Sequence, residues 1–453
     1  MCGKERKNVM KTLFKRTAAA AAAAVMTLGL AGCGNNTSST ATTSSAAKSS
    51  AADGSSTATS SVATSDTSSA TSATSSAAAT SGETSTPAGN GGTLVIGSIG
   101  PITGPAAIYG INVQNGAQLA VDEINAAGGV NGMTLELNFQ DDEHDPEKSV
   151  NTYNTLKDKG MKLLVGTVTS GPCEAVSKEA AKDNMFLITP SGSSVNAITA
   201  GDNCFRMCFN DPQQGKIEAD FIAEKLEGKK KVGVIYDSSD SYSTGILEGF
   251  KEEAAAKGLE VVAEEGFTSD SNKDFSVQIQ KMADTGAEVL FLPIYYTETA
   301  LILEQADKAG LDIPVLGGDG LDGLIDVLAD KVALADGVYA LTPYSATATD
   351  EKSVKFTEAY KAKFPDADAP IQFAADAYDC VYAIKAALEK AGVNDASIDS
   401  KELCDKLKAA MVEIEYDGIT GNSKWTADGE VTKDPKIMQI KVTDGKGALT
   451  DIG

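Results

Sequence analysis

Histidine and tryptophan are nearly absent from this chain of 453 residues, which contains one of each, His144 and Trp425. It also has no Cys-x-x-Cys pair, no GxSxG motif of a nucleophilic serine and no GxxxxGK(S/T) phosphate loop. A zinc site is therefore not expected, and neither is a hydrolase or a nucleotide-binding enzyme. The sequence predicts a protein that is not an enzyme and that uses no metal and no cofactor.

Positive charge is scarce as well, since 39 Lys and Arg stand against 63 Asp and Glu, for a net charge of -24. Binding to nucleic acid requires a basic surface, and so does attraction to anionic lipid headgroups. We therefore expect no nucleic-acid partner and no membrane contact that depends on charge.

The first 32 residues have the pattern of an export signal. Basic residues are concentrated between Lys4 and Arg16, and the uncharged apolar run that follows, residues 18–30, is too short to span a bilayer as a mature helix. The run ends in Leu-Ala-Gly before Cys33, which is typical of a bacterial lipoprotein signal. We expect residues 1–32 to be removed and Cys33 to carry lipid; a plain signal peptide cleaved near Ala31 is the alternative.

Residues 33–92 are predicted to form a disordered tether. This segment consists almost entirely of Ser, Thr, Ala and Gly and contains no aromatic residue, so it cannot bury a core. As a flexible coil it would span roughly 40–45 Å, enough to hold a folded domain away from a membrane.

The stretch from Leu163 to Ser194 carries the most functional information. Two apolar runs, residues 163–165 and 186–188, each end in Ser, Thr, Gly and Pro, with helix-forming residues from Ala175 to Lys182 between them. In parallel α/β sheets ligands bind at the carboxyl ends of strands, where these hydroxyls and N–H groups could hold a carboxylate. Ordinary surface loops are the alternative, because the same residues are common in turns.

The alternation of strand and helix begins at Thr93 and starts again after the segment DPQQG, residues 211–215. The length of this part of the chain favours two lobes over a single core. We predict a first lobe from residues 93–211 plus 343–420, and a second lobe from residues 212–342 plus 421–453, with a cleft between them.

A family resemblance rests on five segments that occur in this order: GSIGPITGPAAIYG, AVDEINAAGGVNG, FQDDEHDP, VGTVTSG and ITPSGSS. In sequence and spacing they resemble the branched-chain amino-acid (leucine/isoleucine/valine) substrate-binding proteins of ABC transporters, which have the type I periplasmic-binding-protein fold. The resemblance implies an α/β protein of two Rossmann-like lobes with parallel doubly wound sheets, three hinge crossings and one amino acid in the cleft. It also implies an extracytoplasmic protein that has ABC permease subunits as partners and reaches the membrane through the lipid anchor.

The resemblance implies roles for seven residues. Ser170 and Ser193 resemble the hydroxyl positions that hold the ligand carboxylate, and Ser191 stands where a backbone carbonyl binds the ammonium group. Asp319 occupies the acidic position that pairs with the ammonium, where leucine-specific relatives have glutamate; from the residues alone, its segment Gly-Gly-Asp-Gly is typical of a turn. The side chains implied to close over the ligand are Tyr109, Tyr242 and Tyr295.

Beyond Cys2 and Cys33, the sequence has cysteines at positions 173, 204, 208, 380 and 404. Disulfides are the usual state outside the cytoplasm, and Cys380 and Cys404 lie on two successive predicted helices that a bridge could join. Cys173 could pair with Cys204 or with Cys208. The resemblance places His144 where some relatives have a disulfide cysteine, so that bridge is not expected here, and His144 lies outside the hydroxyl-rich segments.

Two other functions stay open. A sensor component for amino acids or small amides would use the same ligand-binding module with a separate signalling partner, and a cleft enzyme would need catalytic groups that the segments above do not supply. The sequence leaves the ligand open as well: leucine, isoleucine and valine lead, while small polar amino acids, short amides and aromatic acids remain.

Overall fold

The computed structural model describes residues 90–452. The predicted signal segment, Cys33 and all but the last three residues of the predicted tether lie outside the described residues. The first lobe contains a five-stranded sheet formed by β1 (Thr93–Gly100), β2 (Thr134–Asp141), β3 (Leu163–Gly166), β4 (Leu187–Thr189) and β5 (Cys204–Arg206). The strands are parallel throughout, in the order β2-β1-β3-β4-β5.

The second lobe contains a seven-stranded sheet. The later strands are β6 (Lys231–Asp237), β7 (Glu260–Phe267), β8 (Val289–Phe291), β9 (Val315–Gly317), β10 (Tyr339–Thr342), β11 (Glu415–Gly418), β12 (Gly421–Lys424), β13 (Lys436–Thr443) and β14 (Lys446–Asp451). The order in the second sheet is β14-β13-β10-β9-β8-β6-β7, while β11 and β12 form a separate hairpin. The predicted fold of two Rossmann-like lobes is confirmed.

The second sheet differs from the prediction at one edge, where β13 is antiparallel to β10 and β14 is antiparallel to β13. The two residues between β13 and β14, Asp444 and Gly445, both have positive φ angles, 51° and 74°. An Asp-Gly pair in this conformation makes the tight turn of a two-residue β-hairpin, and it brings the chain straight back along the edge.

Eleven α-helices are present in the described residues: α1 (Ala107–Ala126), α2 (Pro146–Asp158), α3 (Ser170–Asp183), α4 (Asp211–Lys225), α5 (Ser241–Lys257), α6 (Ser276–Thr285), α7 (Tyr296–Ala309), α8 (Leu324–Leu328), α9 (Glu351–Lys363), α10 (Gln372–Lys390) and α11 (Ser400–Met411). Helices α10 and α11 return to the first lobe, where α10 packs on α1 and both contact β3. None of the helices in residues 90–452 has the length and apolar composition that a bilayer crossing needs.

The chain passes between the lobes three times: between β5 and β6, between β10 and α10, and before β13. The hairpin of β11 and β12 still belongs with the first lobe, because Trp425, directly after it, donates its indole N–H to the carbonyl of Arg206 at 2.8 Å. The predicted boundary between residues 420 and 421 falls inside this hairpin. We propose that the third crossing follows Val431, which pairs with Trp425.

The cysteines of the described chain are all free and buried, so the predicted bridge between Cys380 and Cys404 is wrong. Cys380 lies ten residues before the end of α10, and Cys404 lies four residues after the start of α11. The two thiols have different neighbours: Cys404 donates to Oδ1 of Asn184 at 3.5 Å, whereas Cys380 is buried near Asp376, Asp379 and Cys208. Cys173, Cys204 and Cys208 likewise form no disulfide.

Candidate functional site

Ser170 is the first residue of helix α3, which begins five residues before the helix-forming run that starts at Ala175. Pro172 fits there because N–H groups in the first turn of a helix have no intrahelical acceptor. The Ser170 Oγ accepts a hydrogen bond from the N–H of Ser194 at 3.1 Å, so its own O–H is left to donate. A carboxylate in front of α3 would meet this hydroxyl and the positive end of the helix dipole.

The loop after β4 carries Ser191 and Ser193. The Ser191 hydroxyl donates to the carbonyl of Val168 at 2.7 Å, so the hydroxyl holds two loops together and the Ser191 carbonyl is the group left for a ligand. Ser193 is 1 % exposed, and its carbonyl accepts from Arg206 at 2.7 Å and from the N–H of Asp211 at 3.0 Å. The predicted first-lobe residues are therefore brought together at the carboxyl ends of β3 and β4.

Arg206 supports this loop and was not identified from the sequence. Its side chain is completely buried, and its guanidinium donates to the carbonyls of four successive residues, 192–195, while Nε lies 3.4 Å from Glu430. A buried cation requires partners of this kind. The sequence feature that could have identified it is the presence of an arginine between Phe205 and Met207, in a run that is otherwise apolar.

Asp319 enters the site from the second lobe, in a 3₁₀ turn directly after β9. Its Oδ1 accepts a 2.8 Å hydrogen bond from the Tyr242 hydroxyl, its N–H donates to Gln214, and its carbonyl accepts from Gln372, the last two at 3.0 Å. Burial raises the pKa of the Asp319 carboxyl to about 6, against the opposing effect of the Tyr242 and Gln214 hydrogen bonds. The carboxyl is thus fixed in orientation and would be stabilised as an anion by a cationic ligand group.

The three predicted tyrosines form one aromatic wall. Tyr295 stacks on Tyr242 with ring centroids 5.0 Å apart, and it meets Tyr109 edge-on at 5.6 Å. Tyr109 in turn stacks on Phe373, the second residue of α10, at 4.3 Å. Rings from both lobes therefore contribute to one surface, with Asp319 at one end of it.

His144 lies outside the hydroxyl-rich segments in sequence but not in space. Its Nδ1 is 2.8 Å from the Thr169 hydroxyl, next to Ser170, and its ring meets Tyr295 edge-on at 5.6 Å. Burial lowers the pKa of the His144 imidazole, which favours the neutral ring. His144 is therefore beside the site, although it lies outside the hydroxyl-rich segments of the sequence. Within residues 90–452 no group of three or more His, Cys, Asp or Glu side chains is arranged to hold a metal ion.

The two lobes are in direct contact across the cleft. The Tyr109 hydroxyl of the first lobe donates to the carbonyl of Gly320 at 2.5 Å, and the Thr297 hydroxyl of the second lobe donates to the carbonyl of Pro105 at 2.9 Å. Six of the seven predicted ligand-binding side chains are buried and Tyr295 is partly buried. This is the closed arrangement of a two-lobed protein.

Comparison with known proteins agrees with this architecture. A family model described as periplasmic binding protein matches residues 93–447. The chain belongs to this family. Its relatives include a Leu/Ile/Val-binding protein homolog from Brucella melitensis, 33 % identical over 78 % of this chain and 92 % of the relative.

Two further proteins are similar to this periplasmic binding protein. One is the leucine-, isoleucine-, valine-, threonine-, and alanine-binding protein of Pseudomonas aeruginosa, 32 % identical over 75 % of this chain and 87 % of the relative. The other is the branched-chain amino acid transporter substrate binding protein LivJ from Streptococcus pneumoniae, solved in complex with isoleucine. It is 32 % identical, with a TM-score of 0.70, over 79 % of this chain and 99 % of that chain.

The family places this periplasmic binding protein among the substrate-binding components of transporters, a family that acts outside the cytoplasm and is not a family of enzymes. The geometry of the site agrees with a binding role. It contains hydroxyls, backbone groups, a buried carboxyl and aromatic rings, the kinds of group that hold and orient a small polar ligand.

Proposed function

We propose that this protein captures an amino acid, with leucine, isoleucine or valine as the leading candidates, and delivers it to the permease subunits of an ABC importer. The observation that carries the proposal is the division of charge between the lobes. Hydroxyl and helix N-terminal donors lie on the first lobe, and the buried carboxyl of Asp319 lies on the second.

An amino acid has one group for each side of this cleft. Its carboxylate would accept hydrogen bonds at Ser170 and Ser193, and its ammonium would bind the Ser191 carbonyl and Asp319. A ligand that bridges the lobes in this way stabilises the closed arrangement, because only that arrangement satisfies both of its charges. The tyrosine wall of Tyr109, Tyr242 and Tyr295 would cover its side chain.

The aliphatic ligand class is supported by the relatives. The Brucella melitensis and Pseudomonas aeruginosa proteins are named for leucine, isoleucine and valine, and the Streptococcus pneumoniae protein binds isoleucine. The resemblance implies a longer glutamate at the position of Asp319 in leucine-specific relatives. The loop that carries Asp319 would then have to bring its shorter side chain closer to the ammonium group.

The proposal includes the route to the membrane. Residues 1–32 would be removed, lipid on Cys33 would anchor the protein outside the cytoplasm, and residues 33–92 would tether the two lobes. The Leu-Ala-Gly-Cys segment and the Ser/Thr/Ala-rich composition after it motivate this arrangement.

Mass spectrometry of ligand released from the purified protein, followed by calorimetry with the twenty amino acids, tests the proposed ligand. We expect leucine, isoleucine or valine to bind in a single site and to remain chemically unchanged. Binding of aromatic acids or amides in preference to every aliphatic amino acid would reject the ligand class, and turnover of the ligand would reject the binding role.

A further inference from the structure

Asp211 is a buried carboxyl at the junction of the two lobes. It is the first residue of α4, where the chain enters the second lobe, and its N–H donates to the carbonyl of Ser193 in the first lobe at 3.0 Å. On its other side is Gly245 in α5: a Cβ added to that glycine would lie 2.9 Å from the Asp211 Oδ2. The carboxyl therefore occupies the space between the Ser193 loop and the helix that carries Tyr242.

Neither carboxyl oxygen of Asp211 has a hydrogen-bond partner among the described residues, although the side chain is completely buried. The buried carboxyl of Asp379, by contrast, accepts hydrogen bonds from Tyr416, Ile419 and Thr420. An unsatisfied buried carboxyl costs free energy, and its position at a ligand cleft suggests that the missing donor is part of the ligand.

The titratable groups around Asp211 are mainly acidic. These groups lie on β5 and the segment after it, on α4, at the start of α5, in the turn after β9 and directly before α7. In that order they are Arg206, Cys208, Glu218, Asp240, Asp319 and Tyr295. Arg206 is the cation among them, and its guanidinium donates to loop carbonyls and faces Glu430. Burial raises the pKa of the Asp211 carboxyl well above its usual value. The nearby Ser193 hydroxyl opposes this rise, although it does not reach hydrogen-bond geometry with the carboxyl, and Asp319 adds to it. The neutral acid is therefore the favoured form before a cation arrives.

We propose that Asp211 is a second carboxyl of the ligand site, which binds the amino acid's ammonium group together with Asp319 and releases a proton to solvent as it does so. The inference rests on the proposed amino-acid ligand. An ammonium group has three N–H donors; the Ser191 carbonyl and Asp319 would accept two, and Asp211 would accept the third, directly or through one water. The neutral acid becomes a carboxylate paired with the ammonium, so one proton leaves for each ligand bound.

Calorimetry with isoleucine in phosphate and in Tris buffer at pH 7.5 measures the protons released, because the two buffers differ in ionisation enthalpy. At that pH the Asp319 carboxyl, with its pKa of about 6, is already mostly ionised and contributes little. We expect the wild-type protein to release up to one proton. Asp211→Asn should release none and should bind isoleucine about ten- to a hundredfold more weakly. Its affinity for 3-methylpentanoate, which is isoleucine without the amino group, should match that of wild type.

Glu218→Gln is the matched control. Glu218 lies about two turns further along α4, is equally buried and also has two carboxyl oxygens without a described partner. Unlike Asp211, it has no described hydrogen bond to the first-lobe loop. This variant should keep the wild-type affinity and proton release. An equal effect of Glu218→Gln would overturn the proposal, since the effect would then belong to buried acids in general.

If Asp211→Asn does not fold, binding measurements on the wild-type protein alone still test the role of Asp211. Proton release predicts that affinity for isoleucine continues to rise with pH above the range near 6 in which Asp319 ionises. Isoleucine binding without proton release and without this pH dependence overturns the role of Asp211 and leaves the proposed function intact. No binding of any amino acid would instead refute the proposed function itself.

Discussion

The Tyr242 hydroxyl donates a 2.8 Å hydrogen bond to Oδ1 of Asp319 and accepts one, also at 2.8 Å, from the N–H of Gly320. This hydroxyl therefore fixes both the acidic side chain and the turn that carries it. Because Asp319 is held from α5 within its own lobe, it keeps its orientation when the lobes separate. Ligand binding then requires closure of the cleft and no rearrangement of the acid.

Replacement of Asp319 by alanine should weaken amino-acid binding by about ten- to a hundredfold, since it removes a charge-assisted hydrogen bond. The loss should appear mainly as faster dissociation, because the acid contacts the ligand only in the closed arrangement. Stopped-flow kinetics with leucine measures this. A deaminated analogue, 4-methylpentanoate, should bind wild type and variant equally, and unchanged leucine affinity in Asp319→Ala would reject the assignment of the ammonium site.

Replacement of Tyr242 by phenylalanine should shift the pH dependence of binding. The Tyr242 hydrogen bond lowers the pKa of Asp319, so its loss should raise that pKa above about 6. Ammonium binding needs the carboxylate, so affinity is present above this pKa and is lost as the pH falls through it; in the variant the loss should begin at a higher pH. Titrations with leucine from pH 5 to 8 check this. Tyr339→Phe, in a strand remote from the cleft, serves as the control, and identical pH profiles for wild type and Tyr242→Phe would contradict the prediction.

Replacement of Ser170 by alanine should weaken the binding of leucine and of 4-methylpentanoate by the same factor, about five- to tenfold, because both ligands have the carboxylate. Ser177 lies on the same helix and is also buried, but its hydroxyl bonds within the helix to Glu174. Ser177→Ala should leave both affinities unchanged. A selective loss of leucine binding in Ser170→Ala would place this hydroxyl at the ammonium and not at the carboxylate.

Replacement of Arg206 by methionine should destabilise the protein by about 3–5 kcal/mol, because four carbonyls and Glu430 would lose a buried cationic partner. Glu430 is partly exposed, so Glu430→Gln should cost about 1 kcal/mol or less. Urea denaturation of both variants compares the free energies of unfolding. A cost below about 1 kcal/mol for Arg206→Met would mean that the loop is held by other contacts.

Replacement of Cys33 by serine should release the protein from the membrane or leave it as an uncleaved precursor. Fractionation of cells that express wild type and variant, with intact mass analysis of each, distinguishes these states. Cys2→Ser is the control, because Cys2 lies within residues 1–32, the segment that we propose is removed. Membrane association of Cys33→Ser at the wild-type level would refute lipid anchoring at this residue.

The order of strands and helices could be predicted from the sequence, but the starts of several helices could not. Helix α1 begins at Ala107, whereas the apolar pattern in the sequence starts only at Val113. Helix α5 begins at Ser241, whereas the pattern starts only at Gly245. The first turn of a helix has N–H groups without internal acceptors, so it tolerates Gly, Pro and Ser that otherwise mark loops. For the same reason the residues around Ser170 were interpreted as a loop, although this predicted ligand residue is the first residue of α3.

The family resemblance predicted those site residues that occupy matching positions in the sequence. Ser170, Asp319 and the three tyrosines were identified and are close together. Arg206, Gln214 and Gln372 were missed, because each acts on a residue distant in sequence: Gln214 accepts from the N–H of Asp319, more than a hundred positions later. Periodicity and composition contain no information on such pairs, and only the folded chain shows them.

Arg206 has a further consequence for the front of the loop that it supports. In a trans peptide the carbonyl and the following N–H point in opposite directions. Since the carbonyls of Gly192, Ser193 and Ser194 face the guanidinium, the next N–H groups point away from it, and the N–H of Ser194 indeed reaches the Ser170 hydroxyl. A cation behind the loop thus directs N–H groups toward the front of the loop, where an anion would meet donors without touching the arginine. A lysine would not replace Arg206, because its three N–H donors on one nitrogen cannot reach four carbonyls and Glu430 together.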